Sequence, residues 1–135
     1  MIKLAVLSAC FATLCMAASP SSTIRGKLRQ PAGAPPILVT NEGKRIELAG
    51  DKDTTSVLQD KRLAGMDLEL KGHFEKADRF VADPIYTKAM HVHKDGKSLF
   101  ITYWCEVCHI RTYTPGICMC CQAETELDLR EKILE

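Results

Sequence analysis

YTKAMHVHKDGKSLFITYW, residues 86–104, carries the clearest fold signal in this sequence. Two runs rich in β-branched and aromatic residues flank Asp95-Gly96, a dipeptide favoured in two-residue hairpin turns because both positions take positive φ. The sequence therefore predicts a β-hairpin centred on this turn. In that register His91 faces Phe100 and His93 faces Ser98.

The same register predicts which side chains share a face of the sheet. Because side chains alternate along a strand, both histidines should lie on the face that carries Trp104, whereas Cys105 lies on the opposite face. A Cu(I) site that combines these histidines and Met90 with the nearby cysteines is therefore disfavoured. We expect Tyr103 and Trp104 to pack the junction between this hairpin and the residues that follow.

The residues before the hairpin predict further short strands. Each of these segments alternates apolar and polar residues or is rich in β-formers, and the first two are joined by Asn41-Glu42-Gly43, a hairpin turn with glycine at the position of positive φ. The segments are 37–40, 44–48, 66–74 and 79–82.

One helix is expected, within residues 51–62 (DKDTTSVLQDKR). Asp53 or Thr54 is its expected N-cap, and Val57, Leu58 and Leu63 would dock it on the strands. About five short strands with one short helix predict a mainly β protein, built as a small, partly open barrel. A different meander or an incomplete sandwich would give a similar pattern.

The order of elements resembles an OB-fold barrel. A hairpin is followed by a short helix, by a strand with the pattern Gly-x-x-x-Glu-Leu-x-Gly, and by a second hairpin. Gly65, Glu69, Leu70 and Gly72 carry this resemblance. It implies an OB-like module that binds an oligonucleotide, an oligosaccharide or a peptide.

Five cysteines follow the hairpin, within YWCEVCHIRTYTPGICMCCQ, residues 103–122. They form two Cys-x-x-Cys units with one additional cysteine, and a Pro-Gly turn can bring the second unit back over the first. Two intervening residues let both sulfurs of a unit face one tetrahedral ion with bonds of about 2.3 Å. The predicted ligands are Cys105, Cys108, Cys118 and Cys121, with Cys120 and His109 in reserve.

This segment resembles the knuckles of zinc-ribbon and rubredoxin-like modules, which implies a closed structural zinc site in a C-terminal module spanning 105–135. It departs from them because neither knuckle carries the usual proline and glycine. Arg111 is a candidate to lie over the sulfurs and offset their negative charge, and a solvated arginine on a strand fits the sequence equally well. The tail around these cysteines is also similar to that of secreted bacterial proteins, a resemblance that implies no particular activity.

Other roles for the cysteines stay open at this point. Exported proteins meet oxidising compartments, so a disulfide framework is an alternative, although five thiols leave one unpaired. A labile copper or zinc site at Cys118, Cys120 and Cys121 with Met119 is another. Thiol–disulfide catalysis is disfavoured, because Cys105 follows a strand instead of opening a helix.

Residues 1–18 are expected to be a signal peptide. Lys3 precedes an apolar run at 4–16, and small residues follow at Ala17-Ala18. The run is shorter than the roughly 20 residues that span a bilayer. Lipidation at Cys10 is the less favoured reading. The predicted organisation continues with a linker at 19–36, which contains one candidate short strand at 24–28, and with the barrel at 37–104, in a periplasmic or secreted protein.

Charge and motifs narrow the expected function. Removal of the signal peptide takes away Lys3 and leaves as many basic as acidic residues, so nucleic acid is an unfavourable partner. No nucleophile elbow, carboxylate pair or phosphate loop indicates an enzyme. The sequence predicts an exported metal-binding module, with a protein, peptide or saccharide partner.

Overall fold

The computed structural model describes residues 20–133, which form a mainly β structure. The strands are β1 (Ser22–Arg29), β2 (Ile37–Val39), β3 (Arg45–Ala49), β4 (Asp67–Lys76), β5 (Arg79–Ala82), β6 (Met90–Lys94), β7 (Lys97–Cys105), β8 (Ile110–Thr112) and β9 (Glu126–Arg130). The helix α1 is Lys52–Leu58, and short 3₁₀ turns occupy Lys61–Leu63 and Ile85–Thr87. The expected signal peptide and Cys10 lie outside the described residues.

Five strands close into a barrel. They pair in the order β1-β2-β3-β5-β4, and β4 pairs again with β1. The β3–β5 pairing is parallel, and α1 lies between β3 and β4 in the chain. The OB-like fold is therefore confirmed, although the barrel is closed and not partly open. The barrel closes at β1, which pairs with β2 along one part of its length and with β4 along the other. Lys27 takes part in both pairings, with Val39 of β2 and with Asp67 of β4.

The predicted linker at 19–36 contains the first barrel strand, which is longer than the candidate strand at 24–28, so the barrel begins well before residue 37. Buried and exposed residues alternate along β1, and Ile24, Gly26 and Leu28 face inward. A β-carbon on Gly26 would lie 2.3 Å from the Val39 carbonyl oxygen. The absence of a side chain at Gly26 thus permits two strands to approach closely.

Helix α1 docks on the barrel as predicted, but its N-cap differs. Val57 and Leu58 are buried, whereas the cap is Asp51, whose carboxylate accepts a hydrogen bond from the Thr54 backbone N–H at 2.8 Å. The Thr54 side chain is buried, and its hydroxyl accepts from the Ile85 N–H at 2.9 Å. A tertiary contact therefore decides the role of Thr54. No helix in residues 20–133 has the length and apolar character required to cross a bilayer.

The second hairpin has the predicted register. His91 pairs with Phe100 and His93 with Ser98, and the turn residues Asp95 and Gly96 have φ of 52° and 73°. Strand β6 also pairs with β4, so the hairpin extends the barrel sheet. Strand β7 continues past the barrel and pairs with both β8 and β9.

Strand β9 lies in the acidic C-terminal tail, residues 122–135, for which the sequence predicted no strand. Leu127 and Leu129 pack partly against the core, and β9 pairs with β7 from Trp104 to Phe100. The alternation Glu-Leu-Asp-Leu-Arg is the signal that could have predicted this strand.

A polar network ties the C-terminal region to the barrel. The buried Tyr103 hydroxyl donates to Asp60 Oδ2 at 2.8 Å, and Arg62 Nε donates to Asp60 Oδ1 at 3.0 Å. Arg62 Nη1 also donates to the Thr125 carbonyl oxygen at 2.9 Å. Burial works to raise the pKa of Asp60, but the hydrogen bonds from Arg62 and Tyr103 hold that pKa below its ordinary value.

We expect Tyr103→Phe to lower the free energy of unfolding by about 1.5–3 kcal/mol, because a charged carboxylate loses a buried donor. Urea unfolding measures the change. Tyr86 is 65% exposed, so Tyr86→Phe should stay within about 0.5 kcal/mol of wild type. Equal effects of the two substitutions would contradict a structural role for the network.

Candidate metal centre

Four cysteines of the C-terminal region converge on one centre. The Sγ atoms of Cys105, Cys108, Cys118 and Cys121 all lie within 4.8 Å of one another. The Sγ atoms of Cys105 and Cys121 are 3.5 Å apart. A tetrahedral ion with bonds of about 2.3 Å to sulfur has ligand–ligand separations close to these values. The cluster can therefore hold a metal ion.

The two Cys-x-x-Cys units have matching backbones. The His109 N–H donates to the Cys105 carbonyl oxygen, and the Gln122 N–H donates to the Cys118 carbonyl oxygen, each at 2.9 Å. His109 and Gln122 have φ of 54° and 61°. Each loop thus closes with a left-handed residue, a position at which glycine would be strain-free. The two loops therefore adopt the left-handed turn with His109 and Gln122 at the positions where glycine is usual.

Backbone N–H groups point at the sulfurs. The Cys108 N–H approaches Cys105 Sγ with a donor–acceptor distance of 3.4 Å. Hydrogen bonds from the Cys121 and Cys120 N–H groups lower the pKa of Cys118 to about 7. Such donors stabilise thiolate, the form of cysteine that binds metal.

In the first Cys-x-x-Cys unit, neighbouring thiols raise the pKa values of the cysteines. The Cys108 N–H lowers the pKa of Cys105, but burial and the thiol of Cys121 leave that pKa above its ordinary value. The thiols of Cys120 and Cys121 raise the pKa of Cys108. Thiols this close resist simultaneous ionisation unless a cation lies between them.

The two reserve ligands do not join the four-sulfur cluster. Cys120 is exposed, although its thiol lies near enough to Cys108 to influence its pKa. His109 stacks on Trp104, with ring centroids 5.8 Å apart and planes 12° apart. His93 contacts Glu69 at 2.7 Å, and His91 packs on Phe100 with centroids 4.7 Å apart.

Arg111 does not serve the sulfurs, so that prediction is wrong. Its Nη1 atom donates to Thr102 Oγ1 at 2.6 Å and to Asp128 Oδ2 at 2.7 Å. Arg111 pairs with Trp104 in the β7–β8 ladder, which places it on the face opposite Cys105. Asp128 belongs to the unpredicted strand β9, so the sequence offered no sign of this pairing.

The segment that carries the cysteines buries little apolar surface. Val107, Ile117 and Met119 are 70%, 65% and 99% exposed, whereas the buried apolar cluster of the barrel runs from Ile24 to Tyr103 in the chain. None of the five cysteines in residues 20–133 is joined in a disulfide. The contacts that hold the segment are the β7–β8 pairing, the packing of Tyr113 against the core and a few hydrogen bonds.

An open cleft lies elsewhere on the barrel. It has a volume of about 1100 Å³ and lies between the β1–β2 loop and α1. Gln30 fixes the base of the loop, because its Nε2 donates to the carbonyl oxygens of Leu58 and Asp60 at 2.9 and 2.7 Å. The cleft is bordered by Arg29, Lys61 and Arg79. Sequence reasoning missed it because the loop was assigned to a linker.

Comparison with known proteins gives no assignment: no protein-family model, curated protein or solved structure matches this chain. The functional argument therefore depends on the geometry of the site itself.

We expect Gln122→Gly to raise the free energy of unfolding by about 0.5–1 kcal/mol. Relief of the left-handed strain outweighs the greater freedom of glycine in the unfolded chain. The measurement is urea unfolding of the protein as purified.

Gln59→Gly is the matched control, since Gln59 has a negative φ of −95°. It should lower the free energy of unfolding by about 0.5 kcal/mol. A loss of stability at both positions would contradict the assigned turn geometry.

Proposed function

We propose that this protein is an exported binding module whose C-terminal segment is held in place by a structural zinc ion. The ligands are Cys105, Cys108, Cys118 and Cys121, in two knuckles of the zinc-ribbon type. The convergence of their four Sγ atoms within 4.8 Å is the observation that carries the proposal.

A metal fits these sulfurs better than disulfides do. A disulfide brings two sulfurs to about 2.05 Å and leaves the pairs independent of each other. Here all four sulfurs surround a common centre, and the Sγ atoms of Cys105 and Cys121 are 3.5 Å apart, well beyond bonding distance. Four thiolates in tetrahedral array are a ligand set typical of structural zinc.

The same geometry favours a structural role over catalysis. Catalytic zinc sites keep one position open for water or substrate, whereas four thiolates fill the tetrahedron. Cys105 and Cys118 are buried, which limits access from solvent. We therefore propose that this protein is not an enzyme.

The cleft between the β1–β2 loop and α1 is the surface that we propose for a peptide or saccharide partner. Its loop walls are fixed at both ends, by Gln30 and by the Leu48 N–H, which donates to the Pro36 carbonyl oxygen at 2.9 Å. A wall fixed in advance loses little entropy on binding. The neutral balance of charge after removal of the signal peptide argues against nucleic acid.

Handling of copper or zinc is the second candidate, and the position of Cys120 favours it. This thiol is exposed and lies beside Cys108, while the neighbouring Met119 is 99% exposed. A fifth thiol next to a four-thiolate centre offers a route for ligand exchange with a soft-metal donor.

Metal analysis of protein purified from its native compartment tests the first proposal. We expect one zinc per chain, with Cys120 the single thiol that is alkylated rapidly before chelation. Cys118→Ser should lose the zinc, whereas the matched variant Cys120→Ser should retain it. Absence of metal with at most one reactive thiol after denaturation would instead establish a disulfide framework, and rapidly exchanging copper would establish metal handling.

Removal of zinc by a chelator should loosen the cysteine segment and leave the barrel folded. The apolar cluster that stabilises the barrel ends at Tyr103, so its burial does not depend on the metal. Hydrogen–deuterium exchange should show loss of protection at 106–125 and little change in β1 to β6. Loss of protection throughout the barrel would contradict this division.

A further inference from the structure

A second, smaller cavity lies on the face of β7 opposite the cysteine centre. Its volume is about 360 Å³, within the range of small-molecule sites. The lining residues are all aromatic or basic: Trp104, His109, Arg111, Arg130 and Lys132. It shares no residue with the four-cysteine cluster or with the large cleft.

Two of the basic groups are held in place by one carboxylate. Asp128 Oδ2 accepts from Arg111 Nη1 at 2.7 Å and from Arg130 Nε at 2.9 Å. Arg111 Nη1 also donates to Thr102 Oγ1 at 2.6 Å. Both guanidinium groups are therefore oriented before any ligand arrives. Within residues 20–133 the terminal nitrogens of Arg130 have no hydrogen-bond partner, so they can donate to a ligand.

The charge around the cavity is positive. Arg111, Arg130 and Lys132 line it, while Asp128 contacts the two arginines without lining it. Glu126 pairs with Trp104 in the β7–β9 ladder and also lies outside the lining. One positive charge remains in excess when both carboxylates are counted. A bound anion would balance it and accept hydrogen bonds from the guanidinium groups.

Trp104 supplies an apolar wall next to these donors. The Arg111 guanidinium lies over its ring at 5.0 Å from the centroid, and His109 stacks on it. The first cysteine knuckle sets the position of His109, because the backbone of this residue closes that loop. The Trp104 ring is therefore held in position by both Arg111 and His109.

We propose that this cavity binds a small anionic ligand that carries a phosphate, sulfate or carboxylate group beside a flat apolar part. The oxyanion lies against Arg111, Arg130 and Lys132, and the apolar part contacts Trp104. This site is separate from the metal centre and from the partner cleft.

The single tryptophan of the chain is Trp104, so intrinsic fluorescence reports directly on the cavity. The protein as purified is titrated at constant ionic strength with phenyl phosphate, phenyl sulfate and benzoate, and with benzyl alcohol as the neutral control. At least one anion should give a saturable change with a dissociation constant of about 1 mM or lower. The order of the three constants identifies the preferred oxyanion.

The double variant Arg130→Gln/Lys132→Gln should weaken that binding by about tenfold or more. Both side chains are on exposed residues, so the fold should persist, and circular dichroism checks it. Arg29→Gln/Lys61→Gln removes the same charge from the large cleft and should change binding less than about twofold. No saturable response to any anion, an equal response to benzyl alcohol, or equal weakening by both double variants would overturn the proposal. The zinc content is measured on the same sample, because His109 and Arg111 belong to the segment 106–125 that the proposed metal holds. Failure of anion binding in protein that contains one zinc per chain would overturn this site and leave the zinc proposal standing.

Discussion

The meeting of Cys105 and Cys108 with Cys118 and Cys121 ties together a segment that has little apolar surface to bury. The four Sγ atoms lie within 4.8 Å of one another, whereas Val107 and Met119 between them face solvent. Thiols at this separation repel as they ionise, and a divalent cation turns the same repulsion into attraction. A cation bound by the four sulfurs would therefore stabilise the loops that carry them.

Strand β7 connects this centre to everything else. Its inward side chains Ile101 and Tyr103 complete the barrel core, and Cys105 on the same face begins the four-cysteine cluster. Its outward side chains Thr102 and Trp104 meet Asp128, Arg111 and the small cavity. Alternation along one strand thus separates the buried core and the cysteine cluster from the face that borders the small cavity.

Local chemistry made several parts of this architecture predictable from the sequence. The Asp95-Gly96 turn determined the register of β6 and β7, and the Cys-x-x-Cys spacing identified the four converging sulfurs. The parts that were missed depend on partners distant in the chain. The close approach of Val39 to Gly26 could not be read from the candidate strand at 24–28. Thr54 has the residue type of a cap, but its hydroxyl accepts from the distant Ile85 N–H. The partner of Arg111 could not be predicted, because Asp128 lies on β9, a strand that the sequence did not predict.

X-ray absorption at the metal edge of protein purified from its native compartment tests the central claim most directly. A zinc edge fitted by four sulfur atoms at about 2.3 Å is the expected result. A shell that requires nitrogen or oxygen ligands, or fewer than four sulfurs, would contradict a centre built from these two cysteine loops.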